Sequence, residues 1–467
     1  NRPNLAHPYM ANAVPEIKHE MVRAIGVADI EDLFEQIPPG HRIAGGIDLP
    51  AQILSEAELK RHLMGILAKN GRCEENLSFL GGGCWQHYVP AVCDEIVGRA
   101  EFLTPVWGTP SSDHGRNQAW FEYCSLLGEL VKMDMVGLPV YSYGCAAGHA
   151  IRMASRITGR HQVLVPKLSD PERLSVIRNY CEPQEMESHI EIVFVDYEKS
   201  TGQLNLSDLE AKISDKTAAI YFECPSYFGV IESQGENISE LARANGAETI
   251  VGVDPISLGL LKPPSDYGAD ITVGTTQTLG VHMNTGGGVG GFISSRDEEK
   301  YVLEYNTLNI SITETQTEGE FGFGLSCAHQ TSYGMREEGK DWTGNSTYLW
   351  AISGAVYMSL LGPQGFREIG DLIIQQTHYA AQQIDKVPGL NVLHDRGLFK
   401  EFIVNFDDTG KSVEDINAAL RHQNIFGGKD ISREFPELGQ SALYCVTEVH
   451  TKEDIDQMVD ALKEVCK

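Results

Sequence analysis

The run Thr249-Ile250-Val251-Gly252-Val253-Asp254-Pro255-Ile256-Ser257-Leu258-Gly259-Leu260-Leu261-Lys262-Pro263-Pro264 decides how this chain is read. Thr249 to Val253 is a short, β-branched apolar stretch, the signature of a strand buried on both faces. It ends on Asp254, so a carboxylate sits at the strand's C-terminal end. On either side the pattern alternates. Ala119 to Met133, Ala146 to Thr158, Leu206 to Ile213 and Ile238 to Asn245 read as helices. Gln162 to Pro166, Ile190 to Val195, Ala218 to Glu223, Ile271 to Val273 and Val289 to Ile293 read as short strands. Helices alternating with short apolar strands predict an α/β domain with a mostly parallel sheet covered on both faces.

Outward from that centre, the sequence divides into three expected parts: an N-terminal arm with helices over 1–100, the large α/β domain over 101–330, and a small C-terminal α+β domain over 331–467. In the first part, Val27 to Phe34 predicts a short helix ending before Pro38-Pro39. Leu54 to Ala68 predicts another, with Ser55 as N-cap and Glu58 as its capping-box partner. In the third, Thr347 to Leu361 and Phe366 to Val387 form a helical stretch broken at Gly362-Pro363. Strands follow at Leu390 to Leu393, Phe402 to Phe406 and Leu443 to Thr447, with a helix at Val413 to His422. The last helix is capped by Thr451 and has Ile455, Met458, Val459, Leu462 and Val465 on its apolar face.

Composition narrows the partners. The 467 residues are 42% hydrophobic and carry a net charge of −28. Such an acidic chain is a poor ligand for nucleic acid or an anionic membrane. No apolar run reaches the roughly 20 residues that span a bilayer, and Asn1 to Pro15 is polar and Pro-rich, unlike a signal peptide. The ten cysteines are widely and irregularly spaced with no CxxC pair, which argues against a metal site and for mostly core thiols in a reducing, cytoplasmic setting.

A large parallel-sheet domain followed by a small α+β domain is the plan of the aspartate-aminotransferase-like (fold type I) enzymes that use pyridoxal phosphate (PLP). In that scaffold a strand-end Asp meets the cofactor's ring nitrogen, and a Lys beyond the next strand bonds its aldehyde. Asp254 sits at such a strand end. The segment after the next strand, Gly274-Thr275-Thr276-Gln277-Thr278-Leu279-Gly280, has no Lys. Lys262, in a loop before that strand and followed by two prolines, is badly placed to replace it. If the chain follows that plan, Asp254 and Gln277 would mark a vacated cofactor site, an expectation that the resemblance described next implies. Gly286, Gly287 and Gly288 could bring bare backbone N–H groups to a phosphate, or simply form a tight turn into a strand. Gly81-Gly82-Gly83 carries the same ambiguity, and His87 and Tyr88 are a polar rim or packed turn residues. No GxSxG, P-loop, HExxH or GxGxxG in a strand–helix context is present.

Several stretches resemble the alpha subunit (subunit 1) of the two-chain glycine dehydrogenase (decarboxylating), the P-protein of the glycine cleavage system. They are His7-Pro8-Tyr9-Met10, Ala24-Ile25-Gly26-Val27 through Leu33-Phe34, Ser78-Phe79-Leu80-Gly81-Gly82-Gly83 with His87-Tyr88-Val89-Pro90, and Asp254 through Pro264 with Tyr267-Gly268-Ala269-Asp270. Later come Leu360-Leu361-Gly362-Pro363, Phe435-Pro436-Glu437-Leu438-Gly439, Cys445-Val446-Thr447-Glu448 and Lys452-Glu453-Asp454-Ile455-Asp456. The resemblance runs nearly end to end. It implies an α2β2 assembly in which a beta partner carries the PLP lysine, while this subunit completes the active-site environment across the interface. PLP would be held by that partner, the substrate would be an amino acid, and the aminomethyl product would pass to the lipoyl arm of the H-protein. It also implies that His87, Tyr88, Trp107, Tyr141 and Tyr143 lie near the interfacial pocket.

Three loops depart from the family pattern. Leu103 to Gly115 stands where YTPYQPEISQG-like residues are usual, Val140 to Gly148 where SLYDGATA-like residues are usual, and 336–342 where REKATSN-like residues are usual. Loops at strand ends form pockets in such folds. A paralogous decarboxylase for another amino acid or acceptor therefore stays open. So does a purely structural scaffold, because a vacated site can drift.

Overall fold

A computed structural model describes residues 9, 10, 12, 14–43, 47–103, 110–184, 186, 188–286, 289–336, 339–340, 347–395 and 397–467, with backbone alone for 110–114, 286, 328, 332 and 333. The chain forms two compact units, Asn1–Gly71 and Arg72–Lys467.

The first unit contains helices Pro15–Ile25 and Glu56–Leu67. Ser55 caps the second as expected, accepting the Glu58 N–H at 3.4 Å. The helix expected over Val27 to Phe34 is shorter and tighter: only Ile30–Phe34 is helical, as a 3₁₀ turn closed by a reciprocal Asp29–Asp32 capping box. Two cap carboxylates within one turn satisfy the backbone locally, so no longer helix is needed.

The second unit is built on a seven-stranded sheet. Its strands are β1 (Met135–Val136), β2 (Gln162–Pro166), β3 (Glu191–Val195), β4 (Thr217–Glu223), β5 (Glu248–Val253), β6 (Ile271–Thr275) and β7 (Gly291–Ser295), in the order β1-β7-β6-β5-β4-β2-β3. β3, β2, β4, β5 and β6 are parallel; β7 runs against them and pairs antiparallel with both β6 and the edge strand β1. Every residue of β4, β5 and β6 is buried, as expected for strands covered on both faces.

Helix α1 (Tyr143–Thr158) packs on one face through Ala146, Ala147, Ala150 and Ala154, small side chains that let it lie close to the sheet. Helix α2 (Pro171–Cys181) follows, with Asp170 as N-cap and Pro171 in its first turn. On the other face lies α3 (Tyr348–Ile384), kinked where Gly362 takes φ 57° and ψ −178° beside Pro363, which is the break expected from the sequence. Helix α2, β1 and the hairpin Asn309–Glu314/Phe321–Ser326 were not among the expected elements.

A second, four-stranded antiparallel sheet follows: β8 (Asn391–Leu393), β9 (Glu401–Asn405), β10 (Lys429–Asp430) and β11 (Ser441–Cys445), in the order β8-β9-β11-β10. The final helix, Lys452–Val465, is capped by Thr451 with Asp454 closing the box and buries Ile455, Met458 and Leu462. The segment after Arg72 threads into this region: Leu77 and Ser78 pair in parallel with Ile425 and Phe426, and the Cys445 N–H donates to the Phe79 carbonyl at 2.9 Å. That threading carries residues 79–88 to the end of β5. All ten cysteines are free; four are buried and six half-buried.

Candidate functional site

Asp254 lies at the C-terminal end of β5, where its strand delivers it, and is buried. Its Oδ1 accepts the Ile256 N–H at 3.1 Å, capping the 3₁₀ turn Pro255–Gly259. Its Oδ2 forms an ion pair with the Nζ of Lys400, which arrives from the opposite sheet just before β9. Lys400 is equally buried, and its backbone sits in the left-handed region at φ 67°, a conformation that disfavours residues with a Cβ.

The ammonium has two further neighbours. It lies 2.8 Å from Nε2 of His87 and 4.2 Å from the centre of the Trp85 ring. His87 Nδ1 in turn lies 2.7 Å from Glu448 Oε2, and the other Glu448 oxygen accepts the Tyr88 N–H at 2.8 Å. His87 therefore bridges the two: its Nε2 faces the Lys400 ammonium and its Nδ1 faces the Glu448 carboxylate. A relay Asp254–Lys400–His87–Glu448 results. Burial disfavours charge on Glu448, but the His87 ring and the Tyr88 N–H outweigh it and hold its carboxyl at about 2.

A second ionic layer flanks the first. Arg173 of α2 donates from Nη1 to both oxygens of Glu223 at 2.7 and 2.6 Å, has Asp170 at 3.4 Å, and lays its guanidinium 3.8 Å over the Tyr143 ring. Tyr221 donates to Glu223 at 2.6 Å. Glu401, next to Lys400, accepts the Gly82 N–H at 2.6 Å; its burial pushes its carboxyl up to about 7 even so.

The expected residues scatter. Asp254, His87 and Tyr143 meet at one place. Gln277 lies close by but serves the backbone: its Oε1 accepts the Trp85 N–H at 3.2 Å and its Nε2 donates to the Trp85 carbonyl at 2.9 Å. Tyr88 is 66% exposed, its ring in solvent. Tyr141 is half-buried beside β7, its carbonyl accepting the Gly290 N–H at 3.1 Å. Trp107, Gly287 and Gly288 lie outside the described residues, and Gly286 ends a 3₁₀ turn leading toward β7. A Cβ on Gly291 would stand 2.2 Å from the Ser142 carbonyl oxygen, so close packing demands this glycine. A Cβ on Gly81 would likewise meet Glu401 Oε1 at 2.2 Å, and the Gly82 N–H already has Glu401 as its acceptor, which leaves that turn structural. Lys262 is exposed.

Sequence reading missed Lys400, Glu401, Arg173 and Trp85, and saw Glu448 only inside a family motif. Lone charged residues in the C-terminal part carry no local pattern. For Lys400 the one available signal was its place immediately before an apolar strand.

The space beside Asp254 tests whether PLP would fit. Trp85, Tyr143, Arg173, Glu223, Asp254 and Lys400 enclose a cavity of about 20 Å³, room for about one water. Cofactor pockets run to roughly 300 Å³ and more. With Asp254 already paired and the cavity against it this small, no pyridine ring fits beside Asp254; a separate recess of about 330 Å³, lined by Gly81 to Cys84, Ser142 and Thr275, adjoins that cavity through Tyr143 and Arg173. Among the described residues no group of three or more His, Cys, Asp or Glu is placed to hold a metal ion, and no helix is long and apolar enough to cross a membrane.

A strand-end Asp in a seven-stranded, mostly parallel sheet with a small α+β sheet beside it defines the PLP-dependent fold type I class. A sphingosine-1-phosphate lyase from Burkholderia pseudomallei shares this fold, with a TM-score of 0.63 at 14% identity over 92% of this chain and 94% of that one. A much nearer likeness is the crystal structure of glycine decarboxylase (P-protein) of the glycine cleavage system in inhibitor-bound form: TM-score 0.86, 31% identity, 98% of this chain and 99% of that one. The glycine cleavage system P-protein family model matches residues 9–462. Probable glycine dehydrogenase (decarboxylating) subunit 1 of Staphylothermus marinus is 36% identical, and that of Saccharolobus islandicus 35%, each over 98% of both chains. The chain belongs to the glycine cleavage system P-protein family.

Proposed function

We propose that this chain is the subunit-1 half of a two-subunit, PLP-dependent glycine decarboxylase, and that its partner subunit holds the cofactor. One observation carries the reading: the strand-end Asp254 is present, yet the segment Gly274 to Gly280 offers no lysine, and its Gln277 amide is committed to the Trp85 backbone. Bound to the partner, PLP supplies the electron sink for decarboxylation. This chain supplies shape and charge at the interface. Tyr88, pinned through its backbone by Glu448 with its ring exposed, faces outward to do so; Trp107, Tyr141 and the pair His87–Tyr143 behind it complete the set. An α2β2 assembly, delivery to the lipoyl arm of an H-protein and a cytoplasmic location belong to the same reading.

The experiment is exchange of labelled CO2 into the carboxyl group of glycine, with this chain, its partner, and the two together. Exchange that requires both chains supports the reading. A pair that exchanges another amino acid and leaves glycine untouched would replace it with a paralogous decarboxylase.

A further inference from the structure

We infer that Lys400 is a built-in counter-ion for Asp254, standing where the ring cation of a cofactor would stand, so that this chain's own pocket is closed to PLP and stable without it. The inference deepens the reading above, which leaves open why a chain that keeps the aspartate does not bind the cofactor loosely there.

The geometry is specific. The Lys400 ammonium has three neighbours suited to a cation: the Asp254 carboxylate as ion-pair partner, His87 Nε2 at 2.8 Å, and the face of the Trp85 ring at 4.2 Å. Asp254 and Lys400 lie on different sheets, 146 positions apart in the sequence, so their meeting is a product of the tertiary fold. The Lys400 backbone accepts a left-handed φ of 67°, a strained conformation that persists only where surrounding contacts enforce it. Its carbonyl accepts the Val446 N–H at 2.8 Å, holding that conformation in place.

Charge gives the same answer. Arg173 is committed to Glu223 and Asp170, so it is not free to neutralise Asp254. Without the Lys400 ammonium, Asp254 would be a buried carboxylate with no cation, a strongly disfavoured state. The cofactor's protonated ring would meet that need in an active site of this fold. In this chain a side chain does, and the cavity left over, about 20 Å³, takes no ring.

The test uses the full chain without its partner, so it does not depend on whether the assembled enzyme acts on glycine. Thermal unfolding is followed for the wild type, Lys400→Ala, Lys400→Met, Asp254→Asn and the Lys400→Met/Asp254→Asn double variant. Lys400→Ala should melt several degrees below the wild type. Ethylammonium, which fits the vacated volume, should restore most of the loss in a concentration-dependent way, while tetramethylammonium should not. The double variant should melt above Lys400→Met, because neutralising Asp254 removes the charge that the methionine leaves unpaired. That comparison still decides the matter if Lys400→Ala fails to fold. Strictly additive losses in the double variant would overturn the inference. So would uptake of PLP by the wild-type chain alone that is abolished by Asp254→Asn.

Discussion

The backbone N–H of Gly82 donates to Oε1 of Glu401 at 2.6 Å, joining residues 319 positions apart in the sequence. The contact stabilises a carboxylate, yet the surroundings exclude water so thoroughly that Glu401 is pushed up to about 7 from an ordinary value of 4.5. The folded state thus prefers Glu401 protonated. Its stabilising contribution is fully present below about 4.5 and is lost as pH rises through about 7. Glu401→Gln keeps an acceptor for Gly82 and cannot ionise. Urea midpoints should show the wild type losing up to about 3 kcal/mol relative to this variant between pH 4.5 and pH 8. A difference that stays constant across that range would mean Glu401 titrates normally.

Glu448 works in the opposite direction. Held at about 2, against burial, by the His87 ring and the Tyr88 N–H, it favours the folded state when ionised. That contribution is present above about 4.5 and fades as pH falls toward 2. Glu448→Gln should flatten the acid limb of the stability profile by about 3 kcal/mol between pH 4.5 and pH 2, read by far-ultraviolet dichroism during acid titration. An unchanged acid limb would place the acid-sensitive group elsewhere.

Gln277 gives a prediction about architecture. Its amide satisfies both the N–H and the carbonyl of Trp85, and all four groups are buried. Gln277→Leu is close in size but leaves both backbone groups without partners. A loss of about 2–4 kcal/mol is expected from denaturant unfolding. Trp85 fluorescence should also shift as its loop loosens. Full stability in the variant would mean the loop is held by its other contacts alone.

How far the sequence discloses this arrangement depends on the range of the interaction. β5 and Asp254 are legible because a buried parallel strand writes a continuous apolar run and then stops on a charge. The break at Gly362-Pro363 and the cap at Thr451 are legible because φ and capping preferences are local. The absence of a lysine from Gly274 to Gly280 is legible as well. The lysine that stands beside Asp254 is not. Lys400 reaches Asp254 through the packing of two sheets, and His87 reaches Glu448 across 361 positions. Pairings at that distance leave no periodicity behind. The two-residue strand Met135–Val136 was missed for a similar reason, since two residues cannot display alternation. Helix α2 is a different case: Asp170-Pro171-Glu172 is a recognisable helix start, hidden only by the mostly polar sequence that follows.

Tyr88 separates the fold from its proposed role. Glu448 fixes its backbone, while its ring is 66% exposed. Tyr88→Ala leaves that backbone bond intact and removes only the ring, so the stability of the chain should change by no more than about 0.5 kcal/mol, as for a surface substitution. An aromatic ring pinned at its base and free at its tip is a suitable interface anchor. In the assembled enzyme, glycine–CO2 exchange measured at limiting partner concentration should therefore drop severalfold, with recovery in Tyr88→Phe if the ring acts by packing alone and none if the hydroxyl bonds across the interface. Unfolding of the single chain and exchange by the complex, measured on the same preparation, decide between the two roles: a Tyr88→Ala protein normal in both would place the interfacial pocket away from this loop.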